Sequence, residues 1–84
     1  MKRETLERAN KIAQEIEAIE KHLERLAEYK KEGIDEVMVT AGRSNMVLAK
    51  IFLSASIDDL VDLYIAKCEA RIKELEKELE DLKD

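Results

Sequence analysis

Ile34-Asp35-Glu36-Val37-Met38-Val39-Thr40-Ala41-Gly42-Arg43-Ser44-Asn45-Met46-Val47-Leu48-Ala49-Lys50-Ile51-Phe52-Leu53-Ser54-Ala55-Ser56-Ile57 is an apolar, β-branched island between two highly charged stretches. Its charged residues before the last turn are Asp35, Glu36, Arg43 and Lys50. The runs Glu36 to Thr40 and Met46 to Leu53 have the composition of strands, and Ala41 to Asn45 between them is rich in turn formers. Two such runs with a short Gly-containing connection predict a β-hairpin over about 35–54. In the second run Val47, Ala49, Ile51 and Leu53 alternate with Met46, Leu48, Lys50 and Phe52, so both faces are apolar. A hairpin with one wet face would read apolar, polar, apolar. An isolated hairpin is also barely stable and has two open edges. The pattern therefore predicts that a second copy covers the island. The alternative reading continues residues 46–53 as helix.

Working outward, the N-terminal stretch predicts a helix over about 2–32. Ala9, Ile12, Ile16, Ile19, Leu23 and Leu26 recur at steps of three and four, a heptad seam with Ile16 and Leu23 at a and Ile12, Ile19 and Leu26 at d. Lys30 occupies the next a position and weakens the seam. Gly33 is the stop signal, and Lys30 and Lys31 suit the negative end of the helix dipole. Leu6, Ala13 and Ala27 sit at e and widen the apolar face. On the other side of the island a second helix runs over about 57–83, with Ser56 or Ser54 as its cap and Asp58 and Asp59 at its positive end. Val61, Ile65, Cys68, Ile72, Leu75, Leu79 and Leu82 form its seam. Leu60, Leu63, Tyr64, Ala66 and Ala70 lie outside that seam, all in the first half, whereas beyond Lys73 everything outside the seam is charged. Two helices of matched length joined by a hairpin predict an antiparallel coiled coil, buried on several sides near the hairpin and wet at the far end.

The chain has 84 residues, one cysteine, one histidine, no proline and a formal net charge of −5. That is a single domain, marginal on its own because a chain this short buries only roughly 60% of its unfolded surface. One cysteine excludes an internal disulfide or a multi-cysteine metal site. No run approaches the roughly 20 apolar residues of a membrane span. The basic start Met1-Lys2-Arg3-Glu4 has no apolar region behind it, so a signal peptide is not expected and a cytoplasmic location is the default. Interspersed charges with an acidic balance argue against a general nucleic-acid or anionic-membrane binder.

Few residues suggest chemistry. His22, at g, has Ala18, Ile19, Arg25 and Leu26 as helical neighbours and no carboxylate to orient it, so it reads as a flanking residue and not a base or ligand. Cys68, at d, reads as a structural thiol. Glu74, Glu76, Glu78, Glu80 and Asp81 are spread around the helix as a solvated face. Gly42-Arg43-Ser44 lacks the spacing of a phosphate loop. No catalytic, cofactor or metal residues are therefore assigned, and the chain is read as a non-enzyme. Val47, Leu48, Ile51, Phe52, Leu60, Val61 and Tyr64 are the candidate oligomer interface. Arg43 and Lys50 are candidate contacts to another partner.

The order of a heptad helix, the strands Val37 to Thr40 and Met46 to Leu53, and a second heptad helix resembles the β-type prefoldin subunit. That resemblance implies a coiled-coil pair joined by a hairpin, with hairpins from several subunits sharing a sheet. The helices are shorter than in that family and their far tips lack an apolar client-grasping patch, so chaperone activity is not carried over with the architecture. Met1 to Asn10 and Leu75 to Leu79 are also similar to small coiled-coil proteins of prophages and mobile elements, a likeness that implies no activity. The expectation is an α+β oligomer, a homodimer or homotetramer through the hairpin end, acting as an interaction or scaffold protein, with another protein as a further candidate partner. A nucleic-acid-binding regulator and a prefoldin-like holdase are the alternatives.

Overall fold

The computed structural model of the chain describes residues 2–49 and 57–82. Helix α1 spans Arg3–Glu32, strand β1 Glu36–Ala41, strand β2 Ser44–Ala49 and helix α2 Asp58–Asp81. The fold is α+β, two long helices with an antiparallel two-stranded hairpin between them.

The heptad seams are what the helices bury. On α1 the residues withdrawn from solvent are Thr5, Ala9, Ile12, Ile16, Ile19, Leu23, Leu26 and Lys30, and the residues between them are exposed. Beyond its first turn, α2 withdraws Val61, Ile65, Cys68, Ile72, Leu75 and Leu79. This three-four spacing turns one narrow stripe of each helix toward the other. Cross-helix polar pairs fix the direction: Arg8 meets Glu78, Glu15 meets Arg71, His22 meets Tyr64 and Lys30 meets Asp62. Partner numbers fall on α2 as they rise on α1, so the helices run antiparallel. Lys30 does not end the seam, because its stem packs there while its ammonium reaches the Asp62 carboxylate. Cys68 is a half-buried free thiol.

Glycine closes α1. Gly33 takes a φ of 97° and donates its N–H to the Tyr29 carbonyl at 3.0 Å, a conformation open to a residue without Cβ. The hairpin turn is tighter than the five-residue loop expected from composition. Thr40 pairs with Asn45 and Ala41 with Ser44, which leaves Gly42 and Arg43 as a two-residue connection. Gly42 has a φ of 61° and no non-glycine residue described has a positive φ. Glycine first and a negative φ second is the type II′ pattern, whose twist matches that of the strands. Ser44 to Ala49 is strand, not helix; the expected continuation through Lys50, Ile51, Phe52 and Leu53 lies outside the described residues, as do Ser54 and Ser56. The position before α2 is held by Ile57, which is fully buried and makes no side-chain cap bond.

The core is thin. Among the described residues the buried apolar side chains are Ile12, Ile57, Val61 and Leu75, and of these Ile57 and Leu75 are fully withdrawn. The molecule is a rod with extents of 54 × 30 × 17 Å and a radius of gyration of 17.1 Å, against about 12 Å for a compact chain of this length.

Candidate interaction surface

Apart from Leu6 at the far end, the exposed large apolar residues described gather at the hairpin end. Met38, Val39, Met46, Val47, Leu60, Leu63 and Tyr64 are all exposed, Met46 and Met38 most of all at 65% and 63%. The strand register explains why the hairpin shows apolar groups on both sides. Val39 opposes Met46 on one face, and Met38 opposes Val47 on the other. Among the hairpin side chains described, Val37 and its partner Leu48 are half-buried. On α2, Leu60, Leu63 and Tyr64 lie on the outer side of the helix, one turn apart.

A groove of about 420 Å³ opens where α1, β1 and α2 meet, lined by His22, Leu26, Val37, Met38, Leu60, Val61 and Tyr64. Its lip is the His22–Tyr64 pair. The rings meet edge to face with centroids 5.6 Å apart, and His22 Nε2 and Tyr64 Oη share a hydrogen bond of 2.8 Å. Hydrogen bonding with Cys68 one turn along α2, then burial, then the Coulomb interaction with Cys68 hold the Tyr64 phenol above its ordinary pKa. The phenol therefore stays protonated at neutral pH.

This pair is the third rung of a ladder. Arg8–Glu78 at 3.4 Å, Arg71–Glu15 at 3.4 Å and His22–Tyr64 follow one another at one-heptad intervals on one flank of the helix pair. Arg71 also holds Glu74 at 3.2 Å, and that bond, with the contribution of Glu15, raises its pKa. The ladder is Arg–Glu at its first two rungs and a His–Tyr hydrogen bond where the groove begins. The opposite flank is acidic: Glu20, Glu24, Glu69 and Glu76 with Lys73 border a shallow cleft over Leu23, Ala27 and Ile72. A cavity of about 560 Å³ at the hairpin base also has acidic lips, Glu32, Asp35 and Glu36.

The chain matches no family model, no curated protein and no solved structure among those compared. The geometry therefore carries the reading. Of the candidate interface residues, Val47, Leu60 and Tyr64 are exposed and close to the groove, and Leu48 is half-buried. Val61 is 6% exposed and belongs to the helix–helix seam, so it supports the surface from beneath. Ile51 and Phe52 lie outside the described residues, as does Lys50. Arg43 is exposed at the turn. Sequence reasoning did not place Met38 or Leu63 in the surface, nor join His22 to Tyr64. The heptad frame held that last signal, because both residues sit at g, and g faces g across an antiparallel pair.

Among the described residues no group of three or more His, Cys, Asp or Glu is placed to hold a metal ion, and no helix is long and apolar enough to cross a membrane.

Proposed function

We propose that this chain is a self-associating, non-enzymatic interaction or scaffold protein of the cytoplasm, whose hairpin end is the assembly surface and whose charged helix tips face outward. The observation that carries this reading is the segregation of the surface. Exposed Met38, Met46, Val47, Leu60, Leu63 and Tyr64 crowd one end, while ion pairs such as Arg8–Glu78 mark the other. Contiguous exposed apolar patches on a small chain mark association sites. The antiparallel coiled coil then acts as a rigid spacer that sets the distance between that assembly and anything bound at its tips.

Size-exclusion chromatography with light scattering tests it. A mass that is a multiple of the 9.7 kDa chain, persisting at low micromolar concentration, is the expected result; a 9.7 kDa species over the whole range would refute self-association. One observation favours a second reading, a holdase. Met38 and Met46 are flexible, polarisable side chains held in the open, the kind used by adaptable binding surfaces. Suppression of aggregation of an unrelated unfolded protein, abolished by polar substitution of both methionines, would select that reading. The nucleic-acid alternative rests on Arg43 and Lys50 alone against a net charge of −5, and strongly salt-dependent binding to DNA or RNA is the result it requires.

A further inference from the structure

We infer that the groove between α1, β1 and α2 is the seat of a second copy of this chain, in a two-fold contact centred on Met38 with the His22–Tyr64 pair at its rim. This deepens the self-association reading and rests on it.

Area is the first argument. The chain exposes 7129 Å², whereas a compact folded monomer of 9.7 kDa exposes about 5,100 Å². The excess, about 2,000 Å², compares with the roughly 800 Å² per partner that a standard stable interface covers. The rod shape accounts for some of it, and among the groove's lining residues Met38, Leu60 and Tyr64 are exposed apolar side chains.

Charge decides which of the open faces receives the second copy. Two chains of net charge −5 repel. The cleft on the opposite flank brings Glu20, Glu24, Glu69 and Glu76 with it, and the cavity at the hairpin base brings Glu32, Asp35 and Glu36. Apposing either with its own copy sets carboxylates against carboxylates. The groove is lined by aliphatic side chains, Tyr64 and His22, and no carboxylate. Of these three faces it is the one that sets no carboxylate against its own copy in a two-fold contact.

The rim fits the same conclusion. The ladder that is Arg–Glu at its first two rungs becomes His–Tyr at the third, where the groove begins. Tyrosine and its kind are enriched in interfaces because an apolar ring carries a polar tip. In a two-fold contact the same patch serves as knob and hole. Met38 meets that requirement, since it lines the groove and is its most exposed apolar member.

The test uses the full chain. Met38→Glu and Leu60→Glu are expected to weaken the assembly at least about tenfold in Kd, read by sedimentation across a concentration series, with helical content unchanged by circular dichroism. Leu6→Glu, at an exposed apolar residue of the far end, should leave assembly as in the unaltered chain. A second measurement needs no substitution. In a mixed sample of methyl-labelled and unlabelled chains, isotope-filtered NOEs are expected between the Met38 methyl and the Tyr64 ring of the other copy. If the unaltered chain assembles but both groove variants assemble equally well, or the filtered NOEs join hairpin edges only, the groove assignment is wrong and self-association stands. A monomeric unaltered chain removes both.

Discussion

Leu75 and Leu63 show how position decides what a leucine does here. Both lie on α2, yet Leu75 is 1% exposed in the seam and Leu63 is 59% exposed. Leu75→Ala removes packed methyl groups that the neighbouring helix cannot replace, and should lower unfolding stability by about 2–5 kcal/mol in urea titration. Leu63→Ala should change it by less than about 0.5 kcal/mol at concentrations where the chain is monomeric. Gly42 is a backbone case. Nothing crowds the position where a Cβ would stand, so the obstacle to a side chain is the φ of 61° alone. Gly42→Ala should cost about 1–2 kcal/mol, seen as a lowered thermal midpoint, while D-alanine introduced by synthesis should restore it.

At the scale of elements, the helix pair is held by its apolar seam and aligned by its flanking pairs. Each flanking pair is exposed, and such pairs contribute about 0.2–1 kcal/mol. Their value is orientation: each rung is satisfied in one antiparallel register. Arg8→Glu should destabilise the chain by about 1 kcal/mol or less through repulsion with Glu78, and adding Glu78→Arg should recover most of the loss. The double-mutant cycle should give a coupling energy that shrinks as salt is raised toward about 1 M. Lys30 behaves differently because it sits in the seam. Hydrogen bonding to Asp62, partly opposed by burial and aided by the charges of Asp62 and Asp58, raises its pKa. A cation stabilised by folding contributes fully below its unfolded pKa and loses that contribution as pH rises through the raised value. On the lysine side the Lys30–Asp62 link therefore persists through neutral pH and is lost as pH rises through the raised value.

For the whole molecule, thinness of the core is the governing fact. Two helices and a hairpin give a rod with one narrow seam and an apolar surface at one end. Stability taken from association depends on concentration, because a partner that binds the native state shifts folding by mass action. The thermal midpoint should rise as protein concentration increases from low to high micromolar, and that rise should vanish in Leu60→Glu. A midpoint independent of concentration in a species already shown to assemble would mean that association is too weak to couple to folding.

The sequence by itself determined the elements and the seams. Steps of three and four from Ala9 to Leu26 and from Val61 to Leu82 dictate which stripe each helix buries, because the helical period is a property of the backbone. Gly33 and Gly42 punctuate the chain where the backbone needs positive φ. The β-branched island named the hairpin, and the polar far end foretold where apolar surface would collect. Only the tertiary structure decided the rest. Whether Ala41 to Asn45 formed a loop or a two-residue turn depended on cross-strand pairing that composition does not encode. That His22 and Tyr64 share a hydrogen bond follows from the axial register of the two helices, which a repeating heptad does not fix. Met38 became a groove residue because the fold sets β1 beside the start of α2, where Met38 shares a groove with Leu60 and Tyr64, and no local preference encodes that placement.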